Sequence, residues 1–264
     1  MDTLLSMTVR ALLDGHQVDL QEIAELFPDG DPRVAARPDE DGQYYLESAA
    51  LDPVFADAEK MHDAAAALLI RLNGAARLQS DNFRPVRLAG RYDRPSASGG
   101  TESTIQITDT AHARDRVVVV AVEGIESGER VGTPTVSVDG KRVDQQGGGA
   151  RYLTLAATHS DVAELLALAG NAEQLDWIEL YKVFEIVKDA VSGGKDGIQA
   201  LVATLDVPER DIKRFTGSAN RPDVSGPDAR HARMPGARPK ETMTLPDGRR
   251  FIRDLVRRWL ATLP

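Results

Sequence analysis

The hydrophobic period of this chain changes twice. From Pro53 to Leu78 apolar residues recur at helical spacing, with Ala58, Met61, Ala65, Leu68, Leu69, Leu72 and Ala76 on one face. From Arg84 the spacing turns strand-like, giving candidate strands at 84–92, 101–108, 116–122 and 135–138. Asp139-Gly140 fits a tight hairpin turn into a return strand at 141–143. From Ser160 the pattern is helical to the end. Strands that follow one another without intervening helices pair antiparallel, because parallel neighbours need a long crossover. The expected fold class is therefore α+β. Residues 1–150 form N-terminal helices with an antiparallel sheet, and residues 151–264 form an α-helical region. Gln145-Gln146-Gly147-Gly148-Gly149 reads as a linker between them, or as a hairpin loop if Tyr152-Leu153-Thr154-Leu155 is one more strand.

Shorter elements fill in the rest. Leu4, Leu5, Val9 and Leu12 suggest a helix over 3–13 that Gly15 ends; a second helix fits 20–27, and a short strand fits 43–46. Ser160 stands at a cap position. Residues 176–191 carry two apolar faces, one from Trp177 to Val191 and one with Ile178, Val183, Ile186 and Ala190, which predicts a central helix covered on two sides. Ser192-Gly193-Gly194 stops it. Helices follow over 197–205 and 207–215, the second opened by the capping-box-like Asp206-Val207-Pro208-Glu209. The last helix begins near Thr244–Asp247 and sets Ile252, Leu255, Val256, Trp259 and Leu263 on one face, with arginines around the remainder.

Charge is unevenly distributed. Residues 1–150 carry 15 Lys and Arg against 25 Asp and Glu, whereas residues 207–264 carry 13 against 7. An acidic body with a basic end points to a protein partner or a nucleic acid bound through the C-terminal segment. The absence of cysteine excludes disulfides, thiolate nucleophiles and Cys-ligated metals. The longest apolar run in a helical stretch, Ala64–Ile70, falls far short of the ~20 residues that span a bilayer. With no basic region at Met1-Asp2-Thr3-Leu4, a secretory signal is not expected, so the expected setting is cytoplasmic without membrane contact.

Motifs for common chemistries are missing. Gly193-Gly194-Lys195-Asp196 lacks the first glycine and the hydroxyl residue of a P-loop. No dinucleotide fingerprint and no nucleophile elbow occurs. His16, His62, His112, His159 and His231 lack ligand spacing, so neither a metal nor a cofactor is expected. The segment that stands out is Arg214-Phe215-Thr216-Gly217-Ser218-Ala219-Asn220 with Gly226-Pro227-Asp228-Ala229-Arg230-His231, polar and set between helices, where recognition groups concentrate. Candidate acid–base and anion-holding residues are His231, Arg230 and Asn220. Candidate binding residues are Arg214, Ser218, Arg250, Arg253 and Arg257. Glu179 or Glu185 on the central helix is a candidate neighbour of the Arg230-His231 pair.

Trp177-Ile178-Glu179-Leu180-Tyr181-Lys182-Val183-Phe184-Glu185, Arg214-Phe215, Ser218-Ala219-Asn220, Ala229-Arg230-His231, Met243-Thr244-Leu245 and Arg258-Trp259-Leu260 together resemble a group of bacterial proteins without an assigned activity. The same region bears a likeness to the HEPN superfamily of helical ribonucleases and nucleotide-binding domains, which pair an Arg with a His across a short spacing. Here Arg221 and His231 have nine residues between them, and Arg230 and His231 have none. Two functions are expected. The first is a binding module using the Asn220–His231 loop and the basic last helix. The alternative, which the likeness implies, is a metal-independent ribonuclease or nucleotide-acting enzyme with His231 as acid–base group.

Overall fold

The computed structural model describes residues 8–37, 42–80, 82–96, 100–106, 148–172, 175–194 and 196–264. The chain divides into two compact units, Met1–Leu69 with Val86–Gly148, and Ile70–Pro85 with Gly149–Pro264.

The first unit contains β1 (Arg10–Asp14), α1 (Gln17–Leu26), β2 (Arg33–Arg37), β3 (Gln43–Glu47), the first part of α2 (Ala58–Arg77), β4 (Arg87–Pro95) and β5 (Thr101–Ile105). The five strands form one sheet in the order β2-β3-β1-β4-β5, with every pair antiparallel. The expected helix over 3–13 is corrected by this sheet: residues 10–14 are its central strand. Val9, Ala11 and Leu13 are buried in alternation, which is the two-residue period of a strand. β2, unforeseen in the sequence, is an edge strand of the sheet. The candidate strands over 116–122, 135–138 and 141–143 lie outside the described residues, as do 145–147 of the candidate linker.

Charged groups bind the strands across the sheet. Arg10 stands in register with Glu47 on one side and Asp93 on the other, 3.7 Å from the Asp93 carboxylate and 4.7 Å above the Tyr45 ring. Glu47 accepts from Arg33 Nε at 2.8 Å and from Arg37 at 2.7 Å. His62 of α2 meets the hydroxyl of buried Tyr92 on β4 at 2.5 Å.

The second unit holds the end of α2, then α3 (Gly148–Thr158), α4 (Ser160–Asn171), α5 (Trp177–Ser192), α6 (Gly197–Leu205), α7 (Glu209–Ala219), the single turn α8 (Pro222–Ser225) and α9 (Leu245–Thr262). Tyr152–Leu155 is helical, with Tyr152, Leu155 and Ala156 buried on one face. Helix α5 is the central one and packs against α4, α6, α7 and α9. Asp176 caps its start by accepting from Ile178 N at 2.8 Å and Glu179 N at 3.3 Å, and Gly193 closes it in the left-handed region. Phe215 of α7 is fully buried in an aromatic cluster. Its ring centroid lies 5.9 Å from Trp177, 5.5 Å from Phe184 and 5.1 Å from Phe251.

Two cap expectations shift by a few residues. Ser160 is the first helical residue of α4, and His159 takes the cap position. Asp206 ends α6 in the left-handed region instead of starting α7, which begins after Pro208. For α9 the Thr244–Asp247 capping box forms as the sequence suggests.

Candidate functional site

The candidate residues occupy different environments. Ser218 is fully buried on α7, and its hydroxyl accepts the Met243 amide at 2.8 Å. Asn220 ends α7, donating its backbone amide to Thr216 O at 3.1 Å; its Oδ1 is buried without a hydrogen-bond partner among the described residues. Arg230 reaches back to α5, 3.2 Å from Glu185 and 4.2 Å above the Tyr181 ring. Glu185 is therefore the α5 carboxylate that meets this loop, while Glu179 lies 3.4 Å from Lys182. His231, next to Arg230, is exposed and makes no hydrogen bond among the described residues. No hydrogen bond joins Asn220, Arg230 and His231 to one another there.

The arginines have a structural use that their spacing does not announce. Arg77 donates to Ala169 O at 3.0 Å and to Ala172 O at the end of α4. Arg151 donates to Leu260 O at 3.2 Å at the end of α9. Arg258 donates to Leu205 O at 3.1 Å and Asp206 O at 2.9 Å at the end of α6. Three helix C-termini thus receive a guanidinium from another helix. The last carbonyls of a helix lack intrahelical donors and carry partial negative charge, so a cation satisfies both needs. Arg249 likewise donates to Leu175 O at 2.9 Å, and Arg214 to Thr242 O at 3.3 Å. Burial, with Arg249 nearby, pushes Arg77 down from the usual arginine range. The two carbonyls offset that desolvation.

Helix α9 consequently offers less free positive charge than its sequence suggests. Arg249 and Arg258 serve carbonyls, Arg250 is paired with Asp247, and Arg257 stands 3.9 Å from Asp254. Arg253 is only partly exposed.

Free positive charge lies instead between the helices. From Arg230 to Lys240 the chain reads Arg-His-Ala-Arg-Met-Pro-Gly-Ala-Arg-Pro-Lys, with four Lys and Arg and no Asp or Glu. It forms neither helix nor strand, and all of it is exposed except half-buried Pro239. Arg233, Arg238 and Lys240 make no hydrogen bond or ion pair among the described residues, although Arg238 adds to the field on Asp223. Met234 is 42% exposed. The segment is nevertheless held in place. Arg230 anchors its start on α5. Arg221, buried beside Asp223, donates to Gly236 O at 2.9 Å and Pro235 O at 3.4 Å in its middle. Past its end, Glu241 accepts from Arg210 at 2.6 Å, and Ser218 holds Met243. The Arg221 hydrogen bond keeps the Asp223 carboxyl below the usual carboxylate range.

Sequence reasoning stopped at His231 and passed over residues 233–240. The signal available was the run of cations free of acidic residues, bounded by Pro and Gly. Among the described residues no group of His, Asp and Glu is placed to hold a metal, and no helix is long and apolar enough to cross a membrane. No family model, no curated protein and no solved structure matches the chain.

Proposed function

We propose that this protein is an interaction module whose recognition surface is the tethered basic segment Arg230–Lys240, and that its partner is an acidic protein surface. The carrying observation is that Arg233, Arg238 and Lys240 stand exposed, without an ion pair among the described residues, on a backbone anchored at its start, middle and end. Preorganised backbone lowers the entropy lost on binding, so such a segment binds more tightly than a free tail of the same composition. Arg and Met are enriched in protein interfaces, and Met234 supplies an adaptable apolar contact beside the charges.

A protein partner is favoured over nucleic acid because the segment contains no Phe, Tyr or Trp on which bases would stack. The imidazole of His231 is exposed and makes no hydrogen bond among the described residues, which supports binding over acid–base catalysis.

The reading is tested by fluorescence anisotropy of a labelled oligoglutamate peptide against the whole chain across a salt series, with a single-stranded RNA of equal length as comparison. Expected is salt-sensitive binding of the peptide that Arg233→Glu/Arg238→Glu abolishes. RNA bound more tightly than peptide, or peptide affinity unchanged in the variant, would overturn it.

A further inference from the structure

Helices α4 and α5 enclose an open groove of about 920 Å³ within the second unit. Its floor is apolar, formed by Ala167, Leu168, Ile186 and Ala190, with Leu168 and Ile186 only half covered. Its rims are acidic: Asp161 and Glu164 on α4, Glu185 and Asp189 on α5; Lys182 is the one cation among the described lining residues, and Lys188 pairs with Asp189. Asp161 and Glu164 make no ion pair or hydrogen bond among the described residues, and both are exposed. An apolar floor between acidic rims suits a basic segment carrying one apolar side chain.

The chain itself displays such a segment. Arg233 and Arg238 flank Met234, one of the large exposed hydrophobics. The lengths agree. Residues 161–171 of α4 run about 15 Å at 1.5 Å per residue. The five residue-to-residue steps from Arg233 to Arg238 span at most about 17 Å when extended. The two surfaces also adjoin, because Arg230 at the start of the segment sits on Glu185 at the groove's rim. That contact leaves Asp161 and Glu164 for cations from elsewhere, while Asp189 stands 3.2 Å from Lys188 of its own helix.

We propose that two copies of this chain pair, the Arg230–Lys240 segment of each lying in the α4–α5 groove of the other. The inference rests on the reading of that segment as the recognition surface, and it names the acidic partner as a second copy. Adjoining patches of opposite charge on one unit are self-complementary. A two-fold pair then contains the segment–groove contact twice, as a closed isologous interface does. Met234 fills the apolar floor near Leu168 and Ile186, and Arg233 and Arg238 meet the rims.

Sedimentation velocity of the full chain tests this with two double variants, Arg233→Glu/Arg238→Glu in the segment and Glu164→Lys/Asp189→Lys in the groove. The wild type is expected to dimerise below about 100 µM in low salt. Each variant alone sets like charges together and is expected to weaken dimerisation at least about tenfold. An equimolar mixture of the two matches every pair again and is expected to restore the dimer, which a misfolded variant would not do. A monomeric wild type, reversal variants that stay dimeric, or a mixture that stays monomeric would each overturn the pairing. Oligoglutamate and oligolysine peptides added to the wild type separate the remaining cases. A monomer that binds oligoglutamate leaves the recognition surface standing and removes only self-association. One that binds oligolysine assigns the groove to a foreign basic partner. One that binds neither, and does not dimerise, removes both readings.

Discussion

Gly74 of α2 and Gly170 of α4 meet where the two helices cross so closely that neither has room for a Cβ. A Cβ on Gly170 would lie 1.8 Å from Ile70 O and 3.1 Å from the Gly74 amide nitrogen, and one on Gly74 would lie 2.1 Å from Leu166 O. These are backbone atoms, which cannot step aside as a side-chain tip does. Alanine is ordinarily better than glycine in a helix by about 1 kcal/mol. Here Gly170→Ala is expected to destabilise by about 2–3 kcal/mol, because the crossing must open. Urea unfolding checks it, and a stabilised variant would mean that the helices do not approach this closely.

The guanidinium caps predict an ordering among arginine variants. Arg77→Met removes the donors to two carbonyls at the end of α4 and is expected to cost about 2–3 kcal/mol. Arg257→Met, at a side chain 69% exposed and 3.9 Å from its carboxylate, is expected to change stability by less than about 0.5 kcal/mol. Thermal unfolding of the pair compares them directly.

Arg221 and Ser218 are expected to control the order of the basic segment. Arg221→Met frees Pro235 O and Gly236 O, and Ser218→Ala leaves the Met243 amide without its acceptor. Proteolytic cleavage within residues 231–243 should accelerate in both variants while the amides of α5 stay protected from exchange. Ser218→Ala should also cost about 1–3 kcal/mol, since its site is fully buried. Unchanged cleavage would show that these residues do not hold the segment.

Glu47 sets a pH dependence in the sheet. Burial alone raises its carboxyl, but the hydrogen bonds from Arg37 and Arg33 outweigh burial and hold it below the ordinary glutamate range. A depressed folded pKa contributes stability that is present above the unfolded value, about 4.3, and is lost as pH falls through the folded one. Glu47→Gln is therefore expected to cost about 1–2 kcal/mol at pH 7. The difference from wild type should shrink below about pH 4. A gap that stays constant down to pH 3 would contradict the arrangement.

The elements with chemical punctuation were the legible ones. Asp176 and Gly193 bound α5, and the Thr244–Asp247 box opens α9, so local residues specify where these helices begin and end. β1 was misread because Leu4, Leu5, Val9 and Leu12 fit a helical period while Val9, Ala11 and Leu13 fit a strand. Over so short a stretch only the neighbours β3 and β4 decide. Edge strand β2, with two alanines between two arginines, lacks an alternation to detect. At the candidate site the sequence pointed to the Asn220–His231 loop but not to the exposed charges that follow it at 233–240. Whether an arginine serves a carbonyl depends on contacts as remote as Arg258 with Leu205, which no local spacing encodes.

The most direct test of the central claim compares two pairs of arginines in one binding assay. Oligoglutamate affinity is measured at low salt for the wild type, Arg233→Ala/Arg238→Ala in the segment, and Arg250→Ala/Arg257→Ala on α9. If residues 230–240 are the recognition surface, the segment variant loses at least about tenfold in affinity and the helix variant stays within about twofold. Loss confined to the helix variant, or equal loss in both, would contradict it and return the recognition surface to α9.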